Sequence, residues 1–556
     1  MKIKASQTIK PDQKISDEEI IDLILKDRKI INIKKFIQPE SPLNFSLADF
    51  GYKKEIKKTI ELLKKIKEKN QMIVVYTDYD ADGITGGAIL WETLYLLGFK
   101  TMPYVPHRQH EGYGFSEKGL DNIKKQFNPT LIISVDHGIT AKDKITYAKK
   151  LDIDVIVTDH HLKPKELPTK ARAIFHVPEL SGAGVAYYFA KEIYSYFKDD
   201  SKNIKILEKN FSSDYLALAT IGIVADLVPL TGVARSVVKY GLKQISKTER
   251  VGIKQILKEA GIDNKIITTY EVGFIIAPRI NVVGRLEHAI DALRLLCTKD
   301  VQKAYRLASH VGLKNRERQD MVKESLKEAK KEISKFQVPI SKMIILVSNK
   351  WHEGIIGLIA GKIAEEYYRP TVVLTKTDGV YKGSARSIPG FDVTKFLRSL
   401  KKYLIDVGGH KQAAGFTIDG KQLSDFIKTA KNKAEKLLTE KILEKTILVD
   451  LNIPTSKVSL KLARLIENLQ PFGIGNPRPT FCSDVKVNFA AVFGKNSDHL
   501  KILTNNLELI GFFQADKFTQ LSRGQTVRVI YNLEINRWNG SERLRGKIIE
   551  TVSSLF

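Results

Sequence analysis

The sequence predicts an α/β protein in which two sheet-containing domains are joined by a long helix and followed by an all-β domain. Short apolar segments rich in β-branched residues alternate with helical stretches early in the chain, which favours a mostly parallel sheet covered on both faces. A long, charged helical stretch without strand signals comes next and is followed by a second alternating α/β pattern. Beyond about residue 445 the chain alternates short strands with turns, which is typical of a small barrel or sandwich.

The first part of the chain divides into a polar lead-in, residues 1–50, and a parallel-sheet domain, residues 51–240. The lead-in contains a predicted helix near Asp17–Lys26. In the domain, apolar residues at helical spacing predict helices, and short β-branched runs predict strands. Its predicted elements are a helix at about 53–69, the strands MIVVYT (72–77), LIISV (131–135) and DVIVT (154–158), and a buried helix at 212–224.

The remainder divides into a helical connector (241–338), a second α/β domain (339–440) and an all-β domain (441–556). The connector contains the long charged helix, predicted at about 296–335. For the all-β domain the spacing of strands and turns favours an OB-fold that binds nucleic acid. The elements predicted for the second α/β domain are MIILV (343–347), a helix at about 355–368, TVVLT (371–375) and a strand near Val380–Ser384.

Composition favours a polyanionic partner. The 556 residues carry a formal net charge of +27, and such an excess attracts nucleic acid. The alternative is a general lysine bias of the proteome. Cys297 and Cys482 have neither disulfide nor metal spacing, which fits a reducing cytoplasm. The first residues lack the apolar stretch of a secretory signal, and no apolar run is long enough for a membrane span, so we expect a cytoplasmic protein without a membrane partner.

Acidic and histidine side chains follow each predicted strand of the first domain. TDYDADG follows the first strand, VDHG the second and TDHH the third, and VADLVP ends the buried helix. Because parallel strands bring their carboxyl ends to one edge of a sheet, we expect these side chains to share one crevice. They are Asp78, Asp80, Asp82, Asp136, His137, Asp159, His160, His161 and Asp226.

Clustered carboxylates repel one another unless a cation neutralises them. Oxygen ligands with some imidazole suit Mn²⁺ or Mg²⁺ better than structural zinc. Two such ions about 3.5–4 Å apart can clamp a phosphodiester and generate hydroxide, so the pattern predicts a two-metal phosphodiesterase. The alternative for a single aspartate is a helix N-cap, and for a single histidine a satisfied core residue. Asp82 also fits a turn that orders the DADG loop.

The four motifs resemble, in order and spacing, those of the DHH phosphoesterase superfamily. The resemblance implies that Asp136 is a bridging and catalytic ligand and that His161 faces the scissile phosphate. One departure is Tyr76, which stands where many members have a histidine ligand. The metal ligands implied by the resemblance are Asp78, Asp80, Asp136, His160 and Asp226.

From about residue 40 to 550 the chain resembles the RecJ exonucleases within that superfamily. The resemblance implies a 5′-3′ exonuclease that hydrolyses single-stranded DNA to nucleoside 5′-monophosphates in DNA repair and recombination. It also implies two Mn²⁺ or Mg²⁺ ions, and a helicase or a single-strand-binding protein as partner. Residues 171–187 are shorter than the corresponding RecJ stretch. The matching segments are 106–116, 274–286, 314–319, 351–370, 383–392, 408–416 and 471–481.

Glycines beside cationic or polar side chains predict phosphate contacts in the second α/β domain, because glycine lets the backbone approach phosphate closely. The segments GSARS and GGHK supply Ser384, Arg386, Gly409 and His410. The alternatives are an ordinary turn for Gly409 and a surface role for His410.

Arginines are also predicted to sense the terminal phosphate of the strand, since their planar fork fits phosphate oxygens. Arg108, Arg279 and Arg285 are the candidates, and the resemblance favours the first and the last. For Arg279 and Arg285 the alternative is a salt bridge that fixes the loop after Pro278. Tyr113 could stack on a base or could be a packed loop residue.

Two other functions stay open at this stage. The enzyme could act on RNA or on short oligonucleotides instead of DNA. Alternatively, the chain could be a non-catalytic DNA-binding scaffold, for which Tyr76 is the supporting feature.

Overall fold

The computed structural model describes residues 2–335 and 341–553 of the chain. The domain boundary predicted at 338/339 lies outside these described residues. The elements of the first part are β1 (Lys2–Thr8), α1 (Asp17–Asp27), α2 (Ile33–Ile37), α3 (Lys53–Glu68), β2 (Ile73–Thr77), α4 (Ala81–Leu96), β3 (Thr101–Tyr104), α5 (Glu117–Phe127), β4 (Leu131–Val135), α6 (Lys142–Lys150), β5 (Asp154–Asp159), β6 (Ala173–His176), α7 (Gly182–Phe197), α8 (Ile204–Ser212), α9 (Asp214–Ala225) and α10 (Gly232–Lys247).

The second part begins with the helical connector. Its elements, and those that follow, are α11 (Val251–Glu259), α12 (Thr269–Glu271), a π-helical turn (Val272–Ile276), α13 (Ala277–Leu286), α14 (Ile290–Cys297), α15 (Val301–Ser334), β7 (Ile344–Val347), α16 (Ile356–Tyr367), β8 (Thr371–Thr377), β9 (Val380–Arg386), α17 (Val393–Arg398), β10 (Leu404–His410), β11 (Ala413–Asp419), α18 (Leu423–Leu437), α19 (Glu440–Leu443), β12 (Thr446–Asn452), α20 (Leu460–Asn468), β13 (Thr480–Lys486), β14 (Phe489–Phe493), β15 (His499–Leu503), β16 (Glu508–Gly511), β17 (Thr526–Trp538) and β18 (Ser541–Ser553).

The chain divides into two compact units. The smaller unit contains Arg285–Glu287 and His310–Ile447, with Lys2 at the start of the described residues. The larger unit contains Ile3–Gly284, His288–Ser309 and Leu448–Phe556. The predicted first domain and the predicted all-β domain therefore belong to the same compact unit.

The larger unit contains the predicted parallel sheet. Within the described residues its strand order is β3-β2-β4-β5-β6, and every neighbouring pair is parallel. All residues of β2 and β4 are buried, because helices cover both faces of the sheet. The chain passes from β2 to β3 on one side and then crosses to β4 on the other. This reversal creates a switch point at the carboxyl ends of β2 and β4, where open α/β sheets place their sites.

The buried helix predicted at 212–224 is α9, which begins at Asp214, and α8 ends just before it at Ser212. Helix α9 is apolar on all sides and almost entirely buried, so its carboxyl end at Asp226 is held rigidly beside the sheet. Helix α4 is buried to a similar degree and begins directly after β2. These two buried helices fix the position of the acidic residues at their ends.

The smaller unit contains a mixed sheet. Its order among the described residues is β10-β11-β9-β8-β7, in which only β7 and β8 are parallel. Its apolar face packs against α18 through Phe416 and Phe426, whose ring centroids are 5.5 Å apart. The connecting helix predicted at about 296–335 is α15, which starts at Val301.

Strand β1 and helix α1 of the lead-in belong to the all-β domain, which the sequence did not predict. Strand β1 lies next to β12 at the edge of a sheet whose described strands follow the order β1-β12-β13-β17-β18-β16-β15-β14. Ile20, Ile24 and Leu25 of α1 share a hydrophobic core with Leu462 and Ile466 of α20. The pairing of β1 with β12 joins residues more than 400 positions apart in the sequence. No local sequence pattern predicts such a contact.

The all-β domain is fixed to the parallel-sheet domain by Arg235, a fully buried residue of α10. Its guanidinium donates hydrogen bonds to the carbonyls of Leu469, Gln470 and Pro471, which precede β13. It also lies 3.8 Å from the centre of the Phe36 ring. Among the described residues, no helix is both long enough and apolar enough to cross a bilayer.

Candidate metal centre

The acidic motifs lie at the switch point of the parallel sheet. Asp78 follows β2 directly, and its amide donates to the Val135 carbonyl at 3.1 Å. Asp136 follows β4, and its amide donates to the Thr158 carbonyl of β5 at 3.0 Å. The backbone hydrogen bonds that pair neighbouring strands therefore continue into the acidic motifs that follow them. Three segments that are far apart in the sequence thus meet at one edge, as predicted.

Close helix packing shapes the loop that carries Asp136. This residue adopts φ +69°, a left-handed conformation that aspartate tolerates because its short polar side chain can bond locally. The first residue of α7, Gly182, lies against it, and a Cβ atom there would be 2.3 Å from the Asp136 Cβ. Only glycine permits this approach. The GAG segment therefore brings the positive end of a helix against the carboxylates.

The side chains form three candidate ligand groups. Within each group, one ligand atom from every residue lies within 4.8 Å of those of the others. Asp136 occurs in two of the groups and His160 in two, which links them into one cluster. The groups are Asp78, Asp80 and Asp136; Asp136, His160 and His161; and Asp82, His160 and Asp226.

The distances within the cluster are short. His160 Nε2 lies 3.1 Å from Asp136 Oδ1 and 3.4 Å from Asp226 Oδ2. Asp78 Oδ1, Asp136 Oδ1 and His160 Nε2 are buried and have no hydrogen-bond partner among the described protein atoms. Buried polar atoms are nearly always satisfied, so orphaned oxygen and nitrogen atoms that face one another fit a bound cation. The donor set, carboxylate with imidazole, suits Mn²⁺ or Mg²⁺.

The electrostatics of the cluster lead to the same conclusion. Burial and the neighbouring Asp80 raise the pKa of Asp78 well above its usual value. Burial and the carboxylates of Asp82 and Asp80 do the same for the pKa of Asp136. Taking such groups out of water while they remain charged is costly unless an opposite charge is present. A divalent cation supplies that charge, so these residues fit the metal that the sequence predicts.

His161 is oriented by Asp159. Its Nδ1 lies 2.8 Å from Asp159 Oδ1, and the same carboxylate accepts the backbone amides of His160, His161 and Ile139. Burial opposes the charged imidazole, but the Asp159 carboxylate outweighs it and the pKa of His161 is raised to about 9. The other ring nitrogen lies 3.1 Å from the hydroxyl of Tyr113. The Asp159 carboxylate thus fixes the orientation of the His161 ring and favours its protonated form.

Asp82 differs from its sequence-based interpretation as a turn residue. Asp80 is the N-cap of α4, since its Oδ1 accepts the amides of Asp82 and Gly83. Asp82 is 1% exposed, and its two oxygens accept the amides of Gly182 and Ala183 at the start of α7. It also belongs to a ligand group with His160 and Asp226. The sequence could not predict these contacts, because the spacing of the aspartates does not say which of them caps α4.

Tyr76 is a core residue. It is fully buried in β2, and its hydroxyl donates to the Gly114 carbonyl at 3.0 Å. Its ring makes edge-to-face contacts with Tyr104, Phe115 and His137 at centroid distances of about 5 Å. It therefore takes no part in the cluster, and the three ligand groups form without a histidine at this position.

The predicted arginines occupy different environments. Arg108 lies on an exposed loop, with its guanidinium 5.3 Å from the centre of the Tyr79 ring. Arg279 lies on α13, where its Nε is 2.6 Å from Glu259 Oε2 and an Nη donates to the Ile275 carbonyl. This pairing supports the salt-bridge alternative for Arg279. Arg285 lies in the smaller unit, where it donates to the Gly354 carbonyl at 3.4 Å.

The remaining predicted phosphate contacts lie on the mixed sheet of the smaller unit. Ser384 and Arg386 are on β9, and the Arg386 guanidinium donates to the Ser384 hydroxyl at 3.1 Å. Burial lowers the pKa of Arg386 from its ordinary value. Ala413 of β11 pairs with Arg386 on one side and with His410 on the other, which places the two basic residues in one row across the sheet. Gly409, next to His410, adopts φ +140°.

Two contributors were missed by the sequence analysis in addition to Asp82. Asp159 was part of the acidic pattern but was given no role, although it orients His161. Asn281 of α13 accepts the amide of Ala81 at 2.7 Å and so holds the first turn of α4. The TDHH motif contained a signal for Asp159, since its carboxylate is two residues from the imidazole. No local pattern could have linked Asn281 to a residue 200 positions away.

Known proteins resemble this chain over most of its length. It is 30% identical over 567 residues to the single-stranded-DNA-specific exonuclease RecJ of Haemophilus influenzae, covering 96% of both chains. The same-named protein of Bacillus subtilis is 33% identical over 516 residues, which are 89% of this chain and 63% of that protein. The chain therefore spans less than two thirds of the Bacillus subtilis relative. The crystal structure of RecJ from Thermus thermophilus in complex with Mn²⁺ matches with a TM-score of 0.81 at 26% identity, covering 99% of this chain and 79% of that one.

Successive parts of the chain match family descriptions. They are the DHH family N-terminal domain at residues 72–223, the DHHA1 domain at 340–436 and the RecJ OB domain at 449–550. The predicted fold class is confirmed: a parallel-sheet DHH domain, a DHH-associated α/β domain and a C-terminal OB-fold. The domain whose parallel sheet gathers these carboxylates and imidazoles matches the DHH family, which places the chain in the DHH class of phosphoesterases. Within that class, the chain belongs to the RecJ family.

Proposed function

We propose that this protein is a metal-dependent exonuclease that hydrolyses single-stranded DNA from the 5′ end and releases nucleoside 5′-monophosphates. The observation that carries the proposal is the linked cluster of ligand groups at the switch point of the parallel sheet. The names of the RecJ relatives, which are single-stranded-DNA-specific exonucleases, support the substrate. DNA repair and recombination are the processes in which such an activity would serve.

The cluster offers ligands for two divalent ions, Mn²⁺ or Mg²⁺. Asp78, Asp80 and Asp136 would hold one ion. The groups that contain His160 would hold the other, with Asp136 between the two. The sequence-based ligand set of Asp78, Asp80, Asp136, His160 and Asp226 is retained, and we add Asp82. When bound, such ions activate water and neutralise charge on the phosphate.

The chain's own residues supply orientation and charge. Because the Asp159 carboxylate raises the pKa of His161 and fixes its ring, a protonated His161 would stabilise negative charge that develops on the phosphate. Its Nε2 is directed by the hydroxyl of Tyr113. The amides at the start of α7 hold Asp82 in place, so this carboxylate needs no reorganisation when substrate binds.

Basic residues outside the cluster would bind the strand. We propose that Arg108 and Arg285 sense the 5′-terminal phosphate, and that Ser384, Arg386, Gly409 and His410 bind phosphate on the DHH-associated domain. The role of Arg279 as a phosphate ligand stays a prediction, weakened by its pairing with Glu259. The net charge of +27 suits this polyanionic substrate.

The division into domains at 51–240, 241–338, 339–440 and 441–556 also stays a proposal, whereas the lead-in predicted at 1–50 packs with the all-β domain through β1 and α1. We expect the OB-fold to hold single-stranded DNA, as such folds do. A helicase or a single-strand-binding protein would deliver that substrate. The free cysteines Cys297 and Cys482 fit a cytoplasmic location.

The test is degradation of oligonucleotides labelled at either end, with matched DNA and RNA. Purified protein with Mn²⁺ should release labelled mononucleotide at once from 5′-labelled single-stranded DNA. The 3′-labelled strand should yield a ladder of shortening products. A chelator should stop both reactions. Immediate release of mononucleotide from the 3′ end, or faster digestion of RNA than of DNA, would contradict the proposal.

A further inference from the structure

An exposed apolar cavity of about 460 Å³ lies next to the metal centre in the larger unit. None of the described residues that line it carries a charge. Exposed apolar surface of this kind usually marks a binding site. The lining consists of Val224, Ala225, Leu227, Val228, Leu230, Thr269, Tyr270, Gly273, Phe274, Phe472, Gly473 and Ile474.

Two of the aromatic residues that line the cavity are largely exposed to solvent. Tyr270 and Phe274 are one helical turn apart, and their ring centroids are 5.0 Å apart at an interplanar angle of 31°. Their side chains are 59% and 70% exposed, respectively. Rings that are exposed to this extent leave a face open for a flat ligand. The π-helical turn Val272–Ile276 lies in the same segment, and such turns are frequent at functional sites.

The chain connects this cavity directly to the metal centre. Leu227, which is 68% exposed and adopts φ +57°, follows the candidate ligand Asp226. Part of the wall is formed by Phe472–Ile474, which leads into the OB-fold. The Leu230 amide donates to the Ile474 carbonyl at 2.7 Å, and the Thr269 hydroxyl donates to the Phe472 carbonyl at 2.7 Å. These bonds make the wall a fixed part of the larger unit.

We propose that this cavity binds nucleobases of the single strand on the way between the metal centre and the OB-fold. Its uncharged lining suits base faces and not phosphates. Aromatic faces stack on every base, whereas the lining offers few hydrogen-bonding groups, so the contact would not select for sequence. The inference rests on the proposed function, because it takes single-stranded nucleic acid as the substrate.

The test uses oligonucleotides that carry one 2-aminopurine at successive positions from the 5′ end. Stacking quenches the fluorescence of this base analogue. With wild-type protein in a chelating buffer, which prevents cleavage, we expect quenching at one or two neighbouring positions. The double variant Tyr270→Ala/Phe274→Ala should lose that quenching and bind the oligonucleotide about tenfold or more weakly.

Two further variants separate stacking from folding and from general hydrophobic contact. Tyr270→Leu/Phe274→Leu keeps apolar bulk but removes the aromatic faces, so it should also lose the quenching. Tyr305→Ala removes an aromatic residue of α15 that is equally exposed, at 59%, and should behave as wild type. Quenching that persists in both double variants, or no position-dependent quenching in wild type, would overturn the inference. In that case the cavity would be a docking site for another protein.

Failure of this inference can be told from failure of the proposed function. The same wild-type preparation is assayed with Mn²⁺ on labelled single-stranded DNA. Digestion without position-dependent quenching would refute only the base-binding cavity. Quenching without digestion would support the cavity and refute the proposed exonuclease.

Discussion

The two α/β domains bring functional side chains together in different ways. In the DHH domain all strands of the described sheet are parallel, so residues that follow β2, β4 and β5 meet at one edge whatever their distance in the sequence. In the DHH-associated domain most pairs are antiparallel, and Arg386 and His410 come into one row only through the register of β9, β11 and β10. Topology alone assembles the first site, whereas the second depends on register, which the sequence does not display.

The largest effect is expected from Asp136, the candidate ligand of the first site that we propose lies between the two ions. Asn retains the left-handed backbone of residue 136 more easily than Ala would, so Asp136→Asn removes charge without adding strain. The rate of cleavage of single-stranded DNA should fall by more than about 100-fold. Replacing a residue that only supports a metal ligand already lowers metal affinity or activity about 10–100-fold. The rate with saturating Mn²⁺ is the measurement, and an unchanged circular dichroism spectrum is the control. Normal cleavage by the variant would show that the site lies elsewhere.

A smaller loss is expected from the residue that orients His161. Asp159→Asn removes the negative charge that raises the pKa of His161. It also replaces one of the two carboxylate oxygens that accept backbone amides. We expect kcat to fall about 10–100-fold, with nearly normal Mn²⁺ affinity, since Asp159 belongs to none of the ligand groups. Loss of metal binding in this variant would make Asp159 a ligand and contradict the positioning role.

A weaker effect than that of Asp159→Asn is expected from substitution of Arg386, on the DHH-associated domain. Arg386→Lys keeps the charge but loses the planar fork, so KM for single-stranded DNA should rise about tenfold, whether its 5′ end carries a phosphate or a hydroxyl. Steady-state kinetics with the two substrates measures this change. Arg398→Lys, on the exposed end of α17, is the matched control and should leave KM unchanged. An unchanged KM in Arg386→Lys would remove this row from the phosphate site.

The smallest effect is expected at the position where the superfamily histidine is replaced. Tyr76→Phe removes the hydrogen bond to the Gly114 carbonyl but keeps the packed ring. The free energy of unfolding should fall by about 1 kcal/mol, measured by chemical denaturation. Mn²⁺ affinity and cleavage should stay within twofold of wild type. A large loss of metal binding would mean that Tyr76 supports the centre directly.

The strands and the convergence of their acidic motifs could be predicted because both follow from local patterns and from the geometry of a parallel sheet. The separate contacts of the three aspartates could not be predicted because Asp78, Asp80 and Asp82 are equally spaced, and only the structure shows that Asp80 caps α4 while Asp82 receives the amides of α7. The pairing of β1 with β12 and the contact of Asn281 with Ala81 depend on distant segments. Such contacts leave no periodic signal in one sequence.

The central claim is that carboxylates from distant segments share divalent ions at the switch point, and isothermal titration calorimetry with Mn²⁺ tests it most directly. We predict two ions per chain for the wild-type protein and the loss of at least one in Asp136→Asn. A wild-type protein that takes up no Mn²⁺, or a variant that binds it as tightly and in the same number, would contradict the account.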